Sequence, residues 1–278
     1  MDLNTVAAIR QPRERADLAL APGEAILGGG SWLFSEPQDH LTGLVDLTTM
    51  GWAPIEVTES GLSIAATCTF TELSRFEASA AVSDRAAASD WAAVPLFRQC
   101  CTALLGSFKV WHAATVGGNI CLALPAGPMT SLGAALDAEA LVWMPDGRDR
   151  RVNVLDFVTG VESTVLQPGE VLRSIEIPNR TLTARTGFRK IALSPLGRSG
   201  TVVIARLDKD GGVAVTVSGG TDRPVQLRFE ELPTAVELAS RVHDIDNWYD
   251  DAHGAPDWRR AMSAHLAEQL RAELVVTA

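Results

Sequence analysis

At positions 114–120 the chain carries Ala114-Thr115-Val116-Gly117-Gly118-Asn119-Ile120, and the interpretation of the whole sequence depends on this stretch. Two adjacent glycines allow the backbone to approach a ligand closely. Thr115 and Asn119, on either side of the glycines, add a hydroxyl and a carboxamide that can form hydrogen bonds. The pattern by itself is equally compatible with a tight turn that binds nothing.

A second glycine-rich stretch lies near the start of the chain. A short strand is predicted at Ala25-Ile26-Leu27, and it runs directly into Gly28-Gly29-Gly30-Ser31. Successive backbone N–H groups in such a turn can form a concave site for an anion. The spacing matches neither a dinucleotide-binding G-x-G-x-x-G nor a P-loop, and a turn without a ligand remains an alternative. Two such turns in one domain could bind one pyrophosphate between them. This pairing favours a flavin cofactor, although composition and periodicity alone do not identify the ligand.

Short apolar strands alternate with helical stretches in the first part of the chain. A helix is predicted from Trp91 to Phe108, because five apolar residues recur at spacings of three and four and would share one face: Val94, Phe97, Cys101, Leu104 and Phe108. Further strands are predicted at Leu44–Leu47, Leu62–Ala66, Leu141–Met144 with a turn at Pro145–Gly147, Val152 and Val154, and at Val171, Arg173, Ile175 and Ile177, which alternate before Pro178.

The pattern changes after Pro178, and we place a domain boundary at residues 178–186. The first domain would span residues 1–178 and the second residues 186–278. Thr201–Leu207 and Val213–Val217 predict an antiparallel hairpin in the second domain. A final helix is predicted to begin at Asp257, because apolar residues then recur every four positions: Trp258, Met262, Leu266, Leu270 and Leu274. The predicted fold class is therefore α+β.

Length and charge exclude several classes of protein. The 278 residues suffice for two domains and a sizeable core. A formal net charge of −10 argues against nucleic acid and anionic membrane surfaces as partners. The N-terminus shows no secretory signal, and no apolar run approaches the ~20 residues of a membrane-spanning helix. We therefore expect a cytoplasmic protein without a membrane span.

The cysteines and histidines indicate no metal site. The four cysteines, Cys68, Cys100, Cys101 and Cys121, form no C-x-x-C pair, and buried reduced thiols are expected. The five histidines have no metal-ligand spacing, so no metal ligands are predicted. A serine hydrolase has no support, since the sequence lacks G-x-S-x-G.

The series of motifs resembles the FAD-binding medium subunits of the xanthine dehydrogenase and carbon monoxide dehydrogenase family of molybdenum hydroxylases. The resemblance starts with residues 114–120 and Pro125-Ala126-Gly127, and it continues in order over nearly the whole chain. Its later motifs are Asp156–Gly160, Leu166–Leu172, Ile175–Pro178, Phe188–Lys190, Gly219-Gly220 with Arg223-Pro224, and Trp258–Arg260.

This resemblance implies a fold and a set of cofactor-binding residues. The fold would be a two-lobed FAD-binding domain of the PCMH or vanillyl-alcohol-oxidase type, followed by a small antiparallel sheet with helices. A first cradle for the FAD diphosphate would comprise Ile26, Leu27, Gly28, Gly29, Gly30, Ser31, Trp32 and Leu33. A second cradle would comprise Thr115, Val116, Gly117, Gly118 and Asn119, with Thr115 and Asn119 binding phosphate or ribityl oxygens. Leu172 would pack on the cofactor, Lys190 would place a positive charge near it, and Leu105 matches an apolar contact position more weakly.

The resemblance also implies a division of chemistry among subunits. A molybdenum cofactor on a large subunit would oxidise the substrate, and two [2Fe-2S] clusters on a small subunit would carry the electrons to FAD on this chain. The FAD would pass them to an external acceptor, within a dimer of heterotrimers. No catalytic residue is expected on this chain, since flavin redox chemistry belongs to the cofactor.

Two departures from the family pattern keep other functions open. Pro128 stands where the family often has an aspartate, and Trp32 where it has a small or polar residue. They motivate a non-catalytic scaffold with a degenerate FAD site as one alternative. A stand-alone flavin-dependent reductase of related fold is the other.

Overall fold

The computed structural model describes residues 3–77 and 90–276. In chain order, the helices of these residues are α1 (Phe70–Ser74), α2 (Val94–Ala103), α3 (Phe108–Ala113), α4 (Val116–Leu122), α5 (Pro128–Ala135), α6 (Val154–Phe157), α7 (Asn179–Leu182), α8 (Ala235–His243) and α9 (Pro256–Val276). Two 3-10 helices span Arg15–Leu18 and Leu47–Met50. No helix of the described ranges is both long and apolar enough to cross a membrane.

The strands of the same residues form four sheets. In chain order they are β1 (Ala8–Arg10), β2 (Glu24–Leu27), β3 (Gly43–Asp46), β4 (Ile55–Val57), β5 (Gly61–Ala65), β6 (Glu139–Trp143), β7 (Asp149–Asn153), β8 (Val158–Gly160), β9 (Ser163–Thr164), β10 (Val171–Pro178), β11 (Arg185–Ile191), β12 (Thr201–Leu207), β13 (Val213–Ser218) and β14 (Val225–Phe229). This mixture of helices and mainly antiparallel sheets confirms the predicted α+β class.

The first sheet is small and parallel, with strand order β1–β3–β2. Ile26 and Val45 pack into one hydrophobic cluster, and Leu27 and Leu44 into another. Hydrophobic clusters therefore cover both faces of this sheet, as is usual for parallel strands. Because β2 ends at Leu27, the glycine-rich segment beginning at Gly28 leaves the sheet at the carboxyl end of its strand.

The second sheet is antiparallel, with strand order β4–β5–β10–β6–β7, and α2, α4 and α5 contribute to the large core beside it. The strict alternation predicted for β10 is wrong, because its pairing with β6 shifts register between Leu172 and Ser174. Leu172 and Ile175 lie in the large core, whereas Val171 joins the cluster of the first sheet. A bulge inserts one extra residue, so positions before and after it exchange faces.

The long helix predicted from Trp91 to Phe108 is two helices in the structure. Helix α2 ends at Ala103, since Leu104 has an extended backbone with ψ of 118°. Gly106 follows in the connection, and glycine weakens a helix through its conformational freedom. Phe108 therefore starts α3 and is 71% exposed, although Phe97 and Cys101 of the same predicted face are buried. Val154 is a smaller correction, because it begins α6 and is not part of β7.

The third sheet is antiparallel, with order β11–β12–β13–β14, and α8 and α9 pack on it. The predicted hairpin is confirmed as β12 and β13. The final helix is also confirmed, and its Leu266, Leu270 and Leu274 are buried in the cluster behind this sheet. The fourth sheet is the short β8–β9 hairpin. The third sheet starts at Arg185, and the division into two domains near this point stays a prediction.

The third sheet packs against and hydrogen-bonds to residues 125–135, which precede it in the chain. All eight residues of α5 are buried, and the helix packs against β12 and β13. The hydroxyls of Ser131 and Ser218 form a 2.7 Å hydrogen bond, and the Gly219 N–H donates to the Pro125 carbonyl at 2.9 Å. The segment that follows the second glycine pair therefore contacts both the large core beside the second sheet and the third sheet.

Candidate functional site

The first glycine segment is a compact turn that only glycine can form. Gly30 has a φ of +68°, a conformation that side chains rarely tolerate. A Cβ atom at this position would lie 2.4 Å from the ring of Phe34. The turn closes through a 2.9 Å hydrogen bond from the Phe34 N–H to the Gly30 carbonyl.

Consecutive N–H groups of this segment have no acceptor in the part of the chain that the structure describes. From Gly28 to Leu33, no backbone N–H donates a hydrogen bond to any described residue, whereas those of Phe34 and Ser35 do. Gly28 and Gly29 are half-buried, and Gly30 is buried. Unpaired donors in a partly dry position are costly unless a ligand or water accepts from them. A run of such donors favours an anion.

The second glycine segment is the start of a helix and not a free turn. Thr115 is the N-cap of α4, and its hydroxyl accepts a 3.1 Å hydrogen bond from the Gly118 N–H. The N–H groups of Val116 and Gly117 donate to the carbonyls of Cys68 and Ala66, at 2.8 and 2.9 Å. The backbone donors at this helix start are therefore already used within the protein, and the binding of a cofactor by residues 115–119 stays a prediction.

Gly117 serves close packing. A Cβ atom there would lie 2.5 Å from the Cβ and 2.8 Å from the carbonyl oxygen of Ala66, so α4 could not approach β5 with a larger residue. What this segment can offer a ligand is its side chains. The Asn119 Oδ1 accepts from the Met129 N–H at 2.9 Å, and its amide group donates to no described residue.

The structure brings the two glycine segments into contact. A Cβ atom on Gly28 would lie 2.9 Å from the Thr115 hydroxyl oxygen, and one on Gly29 would lie 1.4 Å from the Ala113 carbonyl oxygen. Segments far apart in sequence thus meet with no room for a side chain between them. The shared site combines unpaired N–H donors from the first segment with a hydroxyl and a carboxamide from the second. These groups fit a dinucleotide such as FAD, whose phosphates accept and whose sugar groups donate and accept hydrogen bonds.

The remaining predicted residues have other surroundings. Ile26, Leu27 and Leu33 pack in the clusters on either face of the first sheet. Leu172 is 3% exposed within the large core and faces Val142 on β6, so its position favours a packing role. Lys190 is exposed on β11, and Leu105 is 61% exposed between α2 and α3. Leu172 shares this core with Val116 of the second glycine segment, and β10 contacts α4. The roles of Leu172 and Lys190 at the cofactor stay predictions.

Both departures from the family pattern have a structural explanation. Pro128 is the first residue of α5, where a missing N–H costs nothing because that group would have no helical partner. The indole of Trp32 lies under a guanidinium, with the Arg198 Cζ 6.0 Å from the ring centroid. Sequence reasoning missed Arg198, since nothing local to the loop between β11 and β12 indicates which distant segment it approaches.

A family model matches the chain over residues 13–180, and its description is the FAD binding domain in molybdopterin dehydrogenase. The matched range contains both glycine segments. It ends just before β11, so the third sheet lies beyond it.

Known proteins show the same likeness. The glyceraldehyde dehydrogenase medium chain of Sulfolobus acidocaldarius is 27% identical over 136 residues, which are 49% of this chain and 44% of that protein. The match thus spans less than half of the curated relative. The chain also superposes on quinoline 2-oxidoreductase from Pseudomonas putida 86, with a TM-score of 0.79, 20% identity and 98% of both chains covered. Carbon monoxide dehydrogenase from Hydrogenophaga pseudoflava gives a TM-score of 0.78 at 17% identity, covering 95% of this chain and 96% of the other.

Proposed function

The chain belongs to the family of FAD-binding domains of molybdopterin dehydrogenases, and from this premise we propose that it is the electron-transfer subunit of a molybdenum-containing hydroxylase or dehydrogenase. In this role it binds FAD noncovalently, receives electrons from a partner subunit and passes them to an external acceptor. The bound flavin supplies the redox chemistry, since it can take up and release electrons. The residues of this chain bind and orient the cofactor.

One observation carries this proposal. Residues 28–33 carry N–H groups that no described residue accepts from, and Gly28 at the start of this run lies so close to Thr115 that only glycine fits there. A diphosphate is the part of FAD that needs such donors. The first segment therefore holds the phosphates through its backbone. Thr115 and Asn119 add hydrogen bonds from their side chains, and the glycines keep the two segments close enough to act on one ligand.

The other redox centres belong to partner subunits in this proposal. A large subunit carries the molybdenum cofactor, a small subunit carries two [2Fe-2S] clusters, and the complex is a cytoplasmic dimer of heterotrimers. The Sulfolobus relative is a medium chain of glyceraldehyde dehydrogenase, which supports a multi-subunit assembly. Among the described residues, no three histidine, cysteine or acidic side chains are grouped to hold a metal ion.

We further propose that the FAD-binding domain spans residues 1–178 and that residues 186–278 form the C-terminal domain. The family match ends at residue 180, and the third sheet begins at Arg185. Leu172 and Lys190 remain candidate cofactor contacts. Their test is the same as for the glycine segments, namely the affinity for FAD after substitution.

The cofactor content of the purified protein tests the proposal. The chain is purified alone and with its co-expressed partners, its absorption spectrum is recorded, and the cofactor released by heating is identified. We expect one FAD per chain, and bleaching of that FAD by an oxidisable substrate only when the partners are present. The test substrates are an aldehyde, an N-heterocycle and carbon monoxide. A colourless chain that still assembles would identify a scaffold, and bleaching of the lone chain would identify a stand-alone reductase.

A further inference from the structure

The contact between Trp32 and Arg198 joins the first glycine segment to the third sheet. Trp32 lies within the run of unpaired N–H groups, and Arg198 lies in the loop between β11 and β12. The Arg198 Cζ is 6.0 Å from the centroid of the indole, at the edge of cation–π range. The site therefore borders a loop that lies outside the family-matched range of residues 13–180.

Within residues 3–77 and 90–276, no acidic side chain pairs with Arg198. It is half-buried, and it forms neither an ion pair nor a hydrogen bond with any described residue. Its guanidinium is permanently charged and presents a planar set of donors that matches phosphate oxygens. A half-buried guanidinium held only by an aromatic ring retains its full capacity to bind an anion.

The glycine segments lack a positive charge of their own. Residues 26–33 and 115–119 contain no lysine, arginine or histidine, and the chain as a whole has a net charge of −10. Backbone N–H groups supply only partial charges to a diphosphate. Arg198 lies against Trp32 of the first segment and can supply the positive charge that both segments lack.

We propose that Arg198 binds the diphosphate of FAD together with the glycine segments, with Trp32 positioning its guanidinium. This inference rests on the proposed function, because it assigns a further binding residue to the same site. In this proposal, the glycine segment that follows β2 and the loop between β11 and β12 form the diphosphate site together. Trp32, a departure from the family pattern, acquires the role of holding the cation in place.

Flavin binding by single-residue variants of the full chain tests the proposal. The chain is freed of flavin, and FAD and riboflavin are titrated separately while flavin fluorescence is followed. Riboflavin lacks both the diphosphate and the adenosine of FAD, so its affinity reports only the contacts of the isoalloxazine ring and the ribityl chain. We expect Arg198→Gln to weaken FAD binding roughly ten- to hundredfold, the usual effect of losing a charged hydrogen bond. Riboflavin binding should change less than about twofold, and Arg198→Lys should retain part of the FAD affinity.

Arg241→Gln is the matched control. Arg241 also lies over an aromatic ring, with its Cζ 5.4 Å from the centroid of Phe229, but it belongs to α8 and contacts neither glycine segment. It should leave both affinities unchanged. Equal weakening of FAD and riboflavin by Arg198→Gln would mean that Arg198 only supports the loop, and unchanged FAD affinity would overturn the proposal outright.

A salt series on the unaltered chain gives a second, independent measurement. An ion pair with phosphate is screened by salt, so FAD affinity should fall more steeply with NaCl than riboflavin affinity does. Parallel slopes would contradict the proposal even if Arg198→Gln failed to fold. A chain that binds neither FAD nor riboflavin would instead refute the proposed function.

Discussion

The carboxylate of Asp137 accepts a 2.9 Å hydrogen bond from the Arg206 guanidinium, although the two residues are only 4% and 1% exposed. Asp137 directly follows α5 and its C-cap, and Arg206 lies in the middle of the third sheet. The same carboxylate pairs with Arg228 at 2.6 Å and with Arg180 at 2.8 Å. One buried acid thus ties the segment after α5 to two strands of the third sheet and to α7.

Replacement of Asp137 by asparagine should destabilise the protein strongly. The substitution keeps the shape but removes one of the two carboxylates that pair with the buried Arg206 guanidinium, leaving only Asp208. Breaking a buried pair typically costs up to about 3–5 kcal/mol. Urea unfolding followed by circular dichroism measures the loss. Asp146→Asn is the control, because Asp146 pairs with Arg148 on the exposed surface and such pairs contribute about 0–1 kcal/mol. Similar decreases in the free energy of unfolding for the two variants would show that the buried ion pair stabilises the fold no more than the exposed one.

The same pair predicts a dependence of stability on acid. Burial acts to raise the pKa of Asp137, but the Arg206 and Arg228 guanidiniums outweigh it and hold the pKa at about 2, below the ordinary 3.8. The unfolded chain therefore binds the proton more tightly than the folded one. The stabilisation from Asp137 is complete above pH 3.8 and disappears as the pH falls towards 2. Melting temperatures measured between pH 6 and pH 2 should show this decline in the unaltered chain and a flatter one in Asp137→Asn.

Gly29→Ala should abolish flavin binding and lower stability. The new Cβ would lie 1.4 Å from the Ala113 carbonyl oxygen, a backbone atom that cannot rotate away, so the first glycine segment must move. Overpacking of this kind costs about 1–3 kcal/mol or more. Flavin content and melting temperature are the measurements. Gly160→Ala should leave both unchanged, since the nearest atom to its added Cβ would be 3.9 Å away. Normal flavin content in Gly29→Ala would refute the close contact of the two segments.

Thr115→Val should cost about 1 kcal/mol of unfolding free energy through loss of the cap on α4. Valine keeps the shape of threonine but cannot accept the hydrogen bond from the Gly118 N–H. Thr115→Ser keeps the hydroxyl and should restore most of the stability. Denaturant titrations of both variants give the comparison. Equal stability of the valine and serine variants would contradict the capping role.

The four thiols should resist alkylation while the protein is folded. Burial raises the pKa of Cys101 and of Cys121 to about 12, and it raises the pKa values of Cys68 and Cys100 as well. The reactive thiolate is therefore scarce at pH 8. Mass spectrometry after iodoacetamide treatment should detect no modification of the native chain and four modifications in denaturant. Rapid labelling of Cys121, which is the most accessible of the four, would show that its surroundings open in solution.

Local patterns in the sequence predict the elements that obey a simple period. The β12–β13 hairpin and α9 are of this kind, because alternation and four-residue spacing directly reflect which face is buried. The helix break at Leu104 and the bulge at Arg173 interrupt such periods. A hydrophobic pattern continues across both interruptions, so it extends one helix too far and assigns Val171 to the wrong face.

The sequence was sufficient to predict the glycine segments of the candidate site, but not the position of its charged residue Arg198. The glycine segments are visible because close approach requires glycine wherever it occurs. That Thr115 caps a helix depends on the residue after β5, because the Ala66 carbonyl accepts from the Gly117 N–H. The approach of Arg198 to Trp32 depends on how the third sheet docks, and this arrangement has no signature in neighbouring residues.

The burial of α5 on every side has a consequence for the order in which the chain is made. Pro128–Ala135 contacts β12 and β13, which leave the ribosome well after it does. Until then, an apolar helix has no cover from those strands, and apolar surface that waits for a late partner promotes aggregation. Slow translation between residues 136 and 218 would prolong this exposure. Early capture of the nascent chain, by a chaperone or by a subunit already folded, would shorten it.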